Sequence, residues 1–207
     1  MKPLSPIPEF LLCILCGAIF SGILWGEEQK TRQEGLLFAG NFEKTDIESN
    51  IKGARKTKLA AAYTWKYGVR LFTDKTWDES GLKWESFAAK AGTMADQIAA
   101  RIKPTYIRNH RGVIDYAIIK DEAPFLSSVI TSPAFRKPFI ETLGDKLHVI
   151  VLDRNVLYVF PATGRNLAEF GPALAAIYKK TPMPVSLEIF QIDKRGYRVI
   201  GEIERSP

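Results

Sequence analysis

Cysteine and histidine are nearly absent from this 207-residue chain, which holds two of each. Cys13 and Cys16 both lie in its most apolar stretch, so everything after residue 16 is cysteine-free. That excludes an intramolecular disulfide framework, a thiolate zinc site and a cysteine nucleophile from the body of the protein. His110 and His148 are too few for a histidine-rich metal centre. Also missing are H-E-x-x-H, a Walker loop, G-x-G-x-x-G, a calcium loop and the G-x-S-x-G elbow that exposes a serine nucleophile. Ser127 and Ser128 sit within an apolar run instead. The residue types that remain imply no metal, no cofactor and no catalytic assignment.

What is present is a chain 46% apolar and 25% charged, enough for one domain with a real core and too apolar for a disordered polymer. From Phe10 to Gly26 it reads FLLCILCGAIFSGILWG, uncharged, with Lys2 ahead and Glu27 and Glu28 behind. A helix of that length spans roughly 25 Å, near the lower limit for a bilayer core of about 30 Å. Signal-peptide cleavage sites are poor. Cys16-Gly17-Ala18 would cut inside the apolar run, and Leu24-Trp25-Gly26 puts leucine where a small residue belongs. Leu12 and Leu15, ahead of the two cysteines, are equally wrong for lipoprotein processing. Residues 1–26 are therefore expected to be an uncleaved single-pass membrane anchor. The alternative is a cleaved signal and a secreted or periplasmic product. Lys2 and the free amino terminus make the leading end the more positive one, which places the body outside the cytoplasm.

Residues 27–58 are polar, with apolar residues only around Leu36-Leu37-Phe38, and predict a tether carrying at most one short element. From Ala62 the pattern alternates, with Tyr63, Trp65, Tyr67, Val69 and Leu71 on one side, as in a strand with one buried face. Asp78 or Ser80 then caps a helix from Leu82 to about Lys103, with Phe87, Ala91, Met94, Ala95, Ile98 and Ile102 along one stripe, ended by Pro104. Val113–Ile119 reads as a strand. Ser132-Pro133 starts a helix that Gly144 stops and Pro138 kinks or splits. His148–Leu152 and Val156–Phe160 form a hairpin across Asp153-Arg154-Asn155. Asn166 with Glu169 opens a helix to about Lys179. Val185–Ile192 and Tyr197–Ile203 form a second hairpin across Asp193-Lys194-Arg195-Gly196. Residues 59–207 are thus predicted to be a single α+β domain, with a largely antiparallel sheet and two or three packed helices, following an amino-terminal hydrophobic helix.

The run APFLSSVITSPAFRKPFIETLGDKLHVIVLDRNVLYVFPAT, followed by PMPVSLEIFQIDKRGYRVIG, resembles the end of a YtpQ-like family of bacterial proteins. The resemblance covers residues 123–203. It implies a helix ending in glycine, a hairpin with a polar turn, a helix, a Pro-Val/Leu-Ser/Thr strand and a last hairpin. It implies no activity and no catalytic residue.

Charge supplies the one further constellation. The formal charge is +6, and residues 1–26 hold only Lys2 and Glu9, so the whole excess stays with the body. Residues 52–70 carry Lys52, Arg55, Lys56, Lys58, Lys66 and Arg70 without an acid, and residues 101–111 add Arg101, Lys103, Arg108 and Arg111. Lys52, Arg55, Lys56, Lys58, Arg108, His110 and Arg111 are the candidate binding residues. Their chemistry suits an anionic lipid or polymer. Single-stranded nucleic acid fits less well, because aromatics at period two read as a buried face rather than a stacking platform. The reading is a non-enzymatic domain, tethered through residues 10–26 and serving in binding or assembly at the cell envelope. The alternative is a hydrolase with His110 as general base beside Asp115.

Overall fold

Leu36-Leu37-Phe38 is the centre of strand β1 (Glu34–Gly40) in the computed structural model, which describes residues 32–163 and 166–204. The unit to which nearly all of them belong runs from Glu34 to Pro207. The expected tether is corrected here. Its described part supplies β1, β2 (Glu48–Asn50) and the start of β3 (Thr57–Trp65). Small residues allow this: a Cβ on Gly35 would stand 2.9 Å from the Phe125 ring, so only glycine lets β1 lie against it. β1 is buried on both faces, and such a strand shows no alternation to read.

β3 is the hub of the first antiparallel sheet. β1 pairs along one side, from Glu34 opposite Tyr63 to Gly40 opposite Thr57, while β2 and β4 (Gly68–Leu71) share the other side. The single strand expected from Ala62 to Leu71 is instead a hairpin that turns at Lys66-Tyr67, with Gly68 at φ +123°. The free edge of β1 is closed by the Leu126–Thr131 3₁₀ segment, where the Ser127 hydroxyl accepts from the Phe38 N–H at 3.2 Å. The neighbouring Ser128 hydroxyl donates to the Phe125 carbonyl at 2.7 Å, so both buried serines serve the backbone.

The expected helix from Leu82 to Lys103 is α2 (Trp84–Ala99), and a separate short helix, α1 (Asp74–Ser80), precedes it. Thr73 caps α1 in a box with Thr76, and Gly81 ends it in the left-handed region, so Asp78 and Ser80 lie inside a helix rather than capping one. α2 buries Phe87, Ala91, Ala95 and Ile98, four residues of the expected stripe, and stops before Lys103. Ser132, Pro133 and Gly144 act as read: Ser132 caps a 3₁₀ turn (Pro133–Phe139), which Pro138 separates from the short α3 (Ile140–Leu143).

The second sheet has six antiparallel strands in the order β10-β9-β7-β8-β6-β5. They are β5 (Thr105–Arg108), β6 (Ile114–Lys120), β7 (Leu147–Asp153), β8 (Val156–Pro161), β9 (Glu188–Asp193) and β10 (Gly196–Glu202). β5 went unread because Thr105–Arg108 is short, lies on an edge and buries little. Period two divides the central strands between two cores. Leu147, Val149, Val151, Leu157 and Val159 join the large core shared with β1, β3 and α2, where the Phe38 and Phe190 rings meet edge-on at 5.3 Å. Ile150, Leu152 and Phe160 face the other way, beneath α4 (Asn166–Tyr178), with Leu174 and Ala175. The α+β class with antiparallel sheets is what the sequence predicts, although in two sheets rather than one. The amino-terminal helix lies outside the described residues. Among those residues no helix is long and apolar enough to cross a membrane.

The loop between β2 and β3 closes over the β10 edge. The Val199 N–H donates to the Lys52 carbonyl at 2.9 Å, and Gly53 turns there at φ +82°. A Cβ on Gly53 would stand 2.5 Å from the Val199 carbonyl oxygen, a backbone atom with no room to yield. Gly53→Ala is expected to destabilise the fold by about 1–3 kcal/mol, checked by chemical denaturation against Gly92→Ala, at a helical site where a Cβ meets open space.

Candidate functional site

Residues 52–58 owe their position to a buried acid. Glu188, 3% exposed at the start of β9, accepts through Oε1 from the backbone N–H groups of Arg55 at 2.6 Å and Lys56 at 3.0 Å. Its Oε2 makes no hydrogen bond among the described residues. Beside it the Thr57 and Ser186 hydroxyls bond at 2.6 Å, and Asn41 Nδ2 donates to the Arg55 carbonyl at 2.5 Å. The loop backbone is therefore held from below, while the side chains of Lys52, Arg55 and Lys56 are exposed. Two of the four candidate cations meet acids. Lys58, nearly buried on the central β3, pairs with Glu48 at 2.8 Å, and Lys56 pairs with Glu202 of β10. Lys58 is thus a structural ion pair. Its position on a strand flanked on both sides keeps it out of solvent.

Arg108, His110 and Arg111 belong to the β5–β6 turn, which is organised by Asn109. Asn109 Oδ1 accepts from the N–H groups of Arg111 at 2.9 Å and Val113 at 3.1 Å, and its Nδ2 donates to Asp115 Oδ1 at 3.1 Å. Arg108 Nη1 donates to the Gly112 carbonyl at 2.7 Å. His110 is exposed, and no hydrogen bond or ion pair among the described residues joins it to Asp115. The two basic groups do not merge into one surface. One lies at the β10 edge and the other at the β5 edge of a six-stranded sheet, a separation of about 24 Å at ~4.8 Å per strand.

Besides Lys52 and Arg55, the cations of residues 52–70 that meet no acid among the described residues are Lys66 and Arg70, at the β3–β4 tip. Arg70 Cζ stands 3.7 Å above the Trp65 ring, Lys66 Nζ stands 4.6 Å from the Tyr67 ring centroid, and the Trp65 and Tyr67 rings meet edge-on at 4.7 Å. Tyr67 is 71% exposed, whereas Tyr63, farther down β3, packs on buried Phe72 at 4.8 Å. The expected period-two aromatic face is corrected by this geometry. Tyr63, Val69 and Leu71 pack against the core, while the reversal of the chain at Lys66-Tyr67 keeps Trp65 and Tyr67 off it. Neither Lys66 nor Arg70 has a carboxylate partner among the described residues, so the tip combines exposed cations with aromatic surface.

A shallow cleft of about 150 Å³ lies between Phe42, Lys56, Tyr178, Val185 and Ser186. Ser186 is already bonded to Thr57, and Lys56 to Glu202, so the cleft offers mainly apolar wall. Among the described residues no group of three or more His, Cys, Asp or Glu side chains gathers as a metal site. His148, half-buried on β7, titrates below its usual range because burial, and secondarily Lys146, disfavour its charged form.

Removing the acceptor under the 52–56 loop leaves two N–H groups unbonded, so Glu188→Ala is expected to cost about 1–3 kcal/mol in denaturant unfolding, with Glu188→Gln keeping most of it. Asp193, at the β9–β10 turn, is held at about 2, first by the Arg195 backbone N–H and then, against the opposing effect of burial, by the side chains of Arg195 and Gln191. Its folded value lies below the ordinary 3.8, so this stabilisation is complete above pH 3.8 and is lost as pH falls through about 2. Asp193→Asn should remove that segment of the stability–pH curve, as followed by urea midpoints.

Comparison with known proteins returns no match to a family model, a curated protein or a solved structure.

Proposed function

We propose that this chain is a membrane-tethered, non-enzymatic α+β binding domain of the cell envelope, anchored by residues 10–26 with its body outside the cytoplasm, and that the body engages an anionic surface. The supporting observation is the uneven neutralisation of the basic stretch. Lys56 and Lys58 are taken up by Glu202 and Glu48, while Lys66 and Arg70 project from a hairpin tip on aromatic rings with no acid beside them. Lys52 and Arg55 add charge from a loop whose backbone is fixed by Glu188 and Val199. A pinned loop and a tight hairpin present charge with little ordering cost on binding, the arrangement a surface-contacting module requires. Residues 123–203 are proposed to share the YtpQ-like arrangement, supported by their order of a glycine-stopped helix, a hairpin, a helix and a last hairpin.

The contact is tested with the full chain held in zwitterionic nanodiscs and titrated with anionic vesicles or a soluble polyanion. At about 1 kcal/mol per cation near a charged surface, Lys66→Ala with Arg70→Ala should weaken binding about thirtyfold, and added salt should weaken it further. Unchanged affinity would remove the tip from the function. Alkaline extraction of membranes, combined with mass determination of the amino terminus, checks the tether. A soluble product cleaved near residue 26 would replace the anchor with a secretion signal.

A further inference from the structure

Resting on the tether proposed above, we infer that the β3–β4 tip docks on the same anionic phospholipid bilayer that holds residues 10–26, with Trp65 and Tyr67 at headgroup depth and Lys66 and Arg70 on lipid phosphates. The sheet register carries this inference. The chain enters β1 at Glu34, which pairs with Tyr63, and β3 runs antiparallel to β1. The outgoing end of β3 therefore lies where the polypeptide arrives from the apolar segment, and Trp65 stands about 7 Å beyond that pair at ~3.4 Å per residue. Only residues 27–33 separate the apolar segment from β1. Fully extended, they reach at most about 25 Å, so a tethered domain keeps its tip end close to the bilayer surface. The connecting residues carry Glu27, Glu28, Lys30 and Arg32, a balanced set, which leaves attraction to the headgroups to the domain itself.

The side chains at that end suit an interface of phosphate above hydrocarbon. Indole and phenol rings each join an apolar body to a polar tip and collect at headgroup level. Arg70 is stacked on the Trp65 face at 3.7 Å and has no carboxylate partner among the described residues, and a guanidinium so placed can direct its in-plane N–H donors to a bidentate phosphate. Lys66 lies over Tyr67, the most exposed large hydrophobic side chain among the described residues, so ring and cation enter the interface together. A free polyanion would use the cations, but it supplies no hydrocarbon layer for the rings. The bilayer is the source that uses both.

The test is run on the full chain reconstituted into phosphatidylcholine vesicles with or without phosphatidylglycerol. An environment-sensitive fluorophore is placed at Tyr67→Cys in a Cys13→Ser, Cys16→Ser background, with Val113→Cys, also exposed, as the control. In anionic vesicles the label at 67 is expected to shift to the blue and to be quenched by headgroup-level spin-labelled lipid. Lys66→Ala with Arg70→Ala should abolish both effects, and the label at 113 should show neither. In the unlabelled chain, brominated lipid should quench indole emission less once Trp65 is changed to Phe. If the protein floats with the vesicles but position 67 stays aqueous in both lipids, the docking is wrong and the tether stands. If the protein does not float, the tether itself is wrong. A polyanion that protects position 67 where vesicles do not would overturn the lipid assignment.

Discussion

The carboxyl group of Glu188 is the junction on which the rest of this domain depends. It reaches from the edge region of the six-stranded sheet to two consecutive N–H groups of the loop that leads into the first sheet's central strand. A buried N–H is costly unless it finds an acceptor, and Glu188 Oε1 supplies one to both loop N–H groups, which in turn bond that oxygen of the buried acid. Around this contact the two sheets are stitched again by Thr57 to Ser186, by Val199 to Lys52, and by Arg154 of the β7–β8 turn to Glu43 of the β1–β2 loop. The aromatic meeting of Phe38 and Phe190 fills the space between these polar links.

That junction also sorts the basic residues by role. A loop drawn onto β9 and β10 brings Lys56 within reach of Glu202, and the central position of β3 gives Lys58 to Glu48. At the far end of the same strand, where it turns back as β4, Lys66 and Arg70 meet aromatic rings and no acid among the described residues. The exposure of these two cations is therefore a consequence of where the core ends. The local density of lysine and arginine does not locate it.

The legible parts of the chain were those in which a turn residue enforces a local geometry. Asp193 to Gly196, Asp153 to Asn155 and Ser132-Pro133 to Gly144 each carry a side chain that bonds its own backbone, or a residue with a restricted φ, and each appears where it was read. The same chemistry was present and overlooked in Asn109 to Gly112, whose arginines and histidine drew attention as a binding group although Asn109 organises the turn. Tyr67-Gly68 was likewise passed over, because the aromatic alternation continues across the turn in sequence although not in space. β1 carries no such signal for the opposite reason: a strand buried on both faces shows no alternation.

By itself the sequence determined the α+β class, the glycine-stopped helix, the two carboxy-terminal hairpins, the lack of cysteine in the body and the presence of two acid-free basic stretches. These follow from side chains acting on their own neighbours, at separations of a few residues. Only the tertiary structure decided that the supposed tether is a core strand, that the basic stretches sit on opposite edges of a sheet, and which cations keep a free charge. Those outcomes depend on partners such as Glu188 and Glu202, more than a hundred residues away from the lysines and arginines they hold. No local pattern encodes a pairing that exists only once both sheets have closed on their shared core.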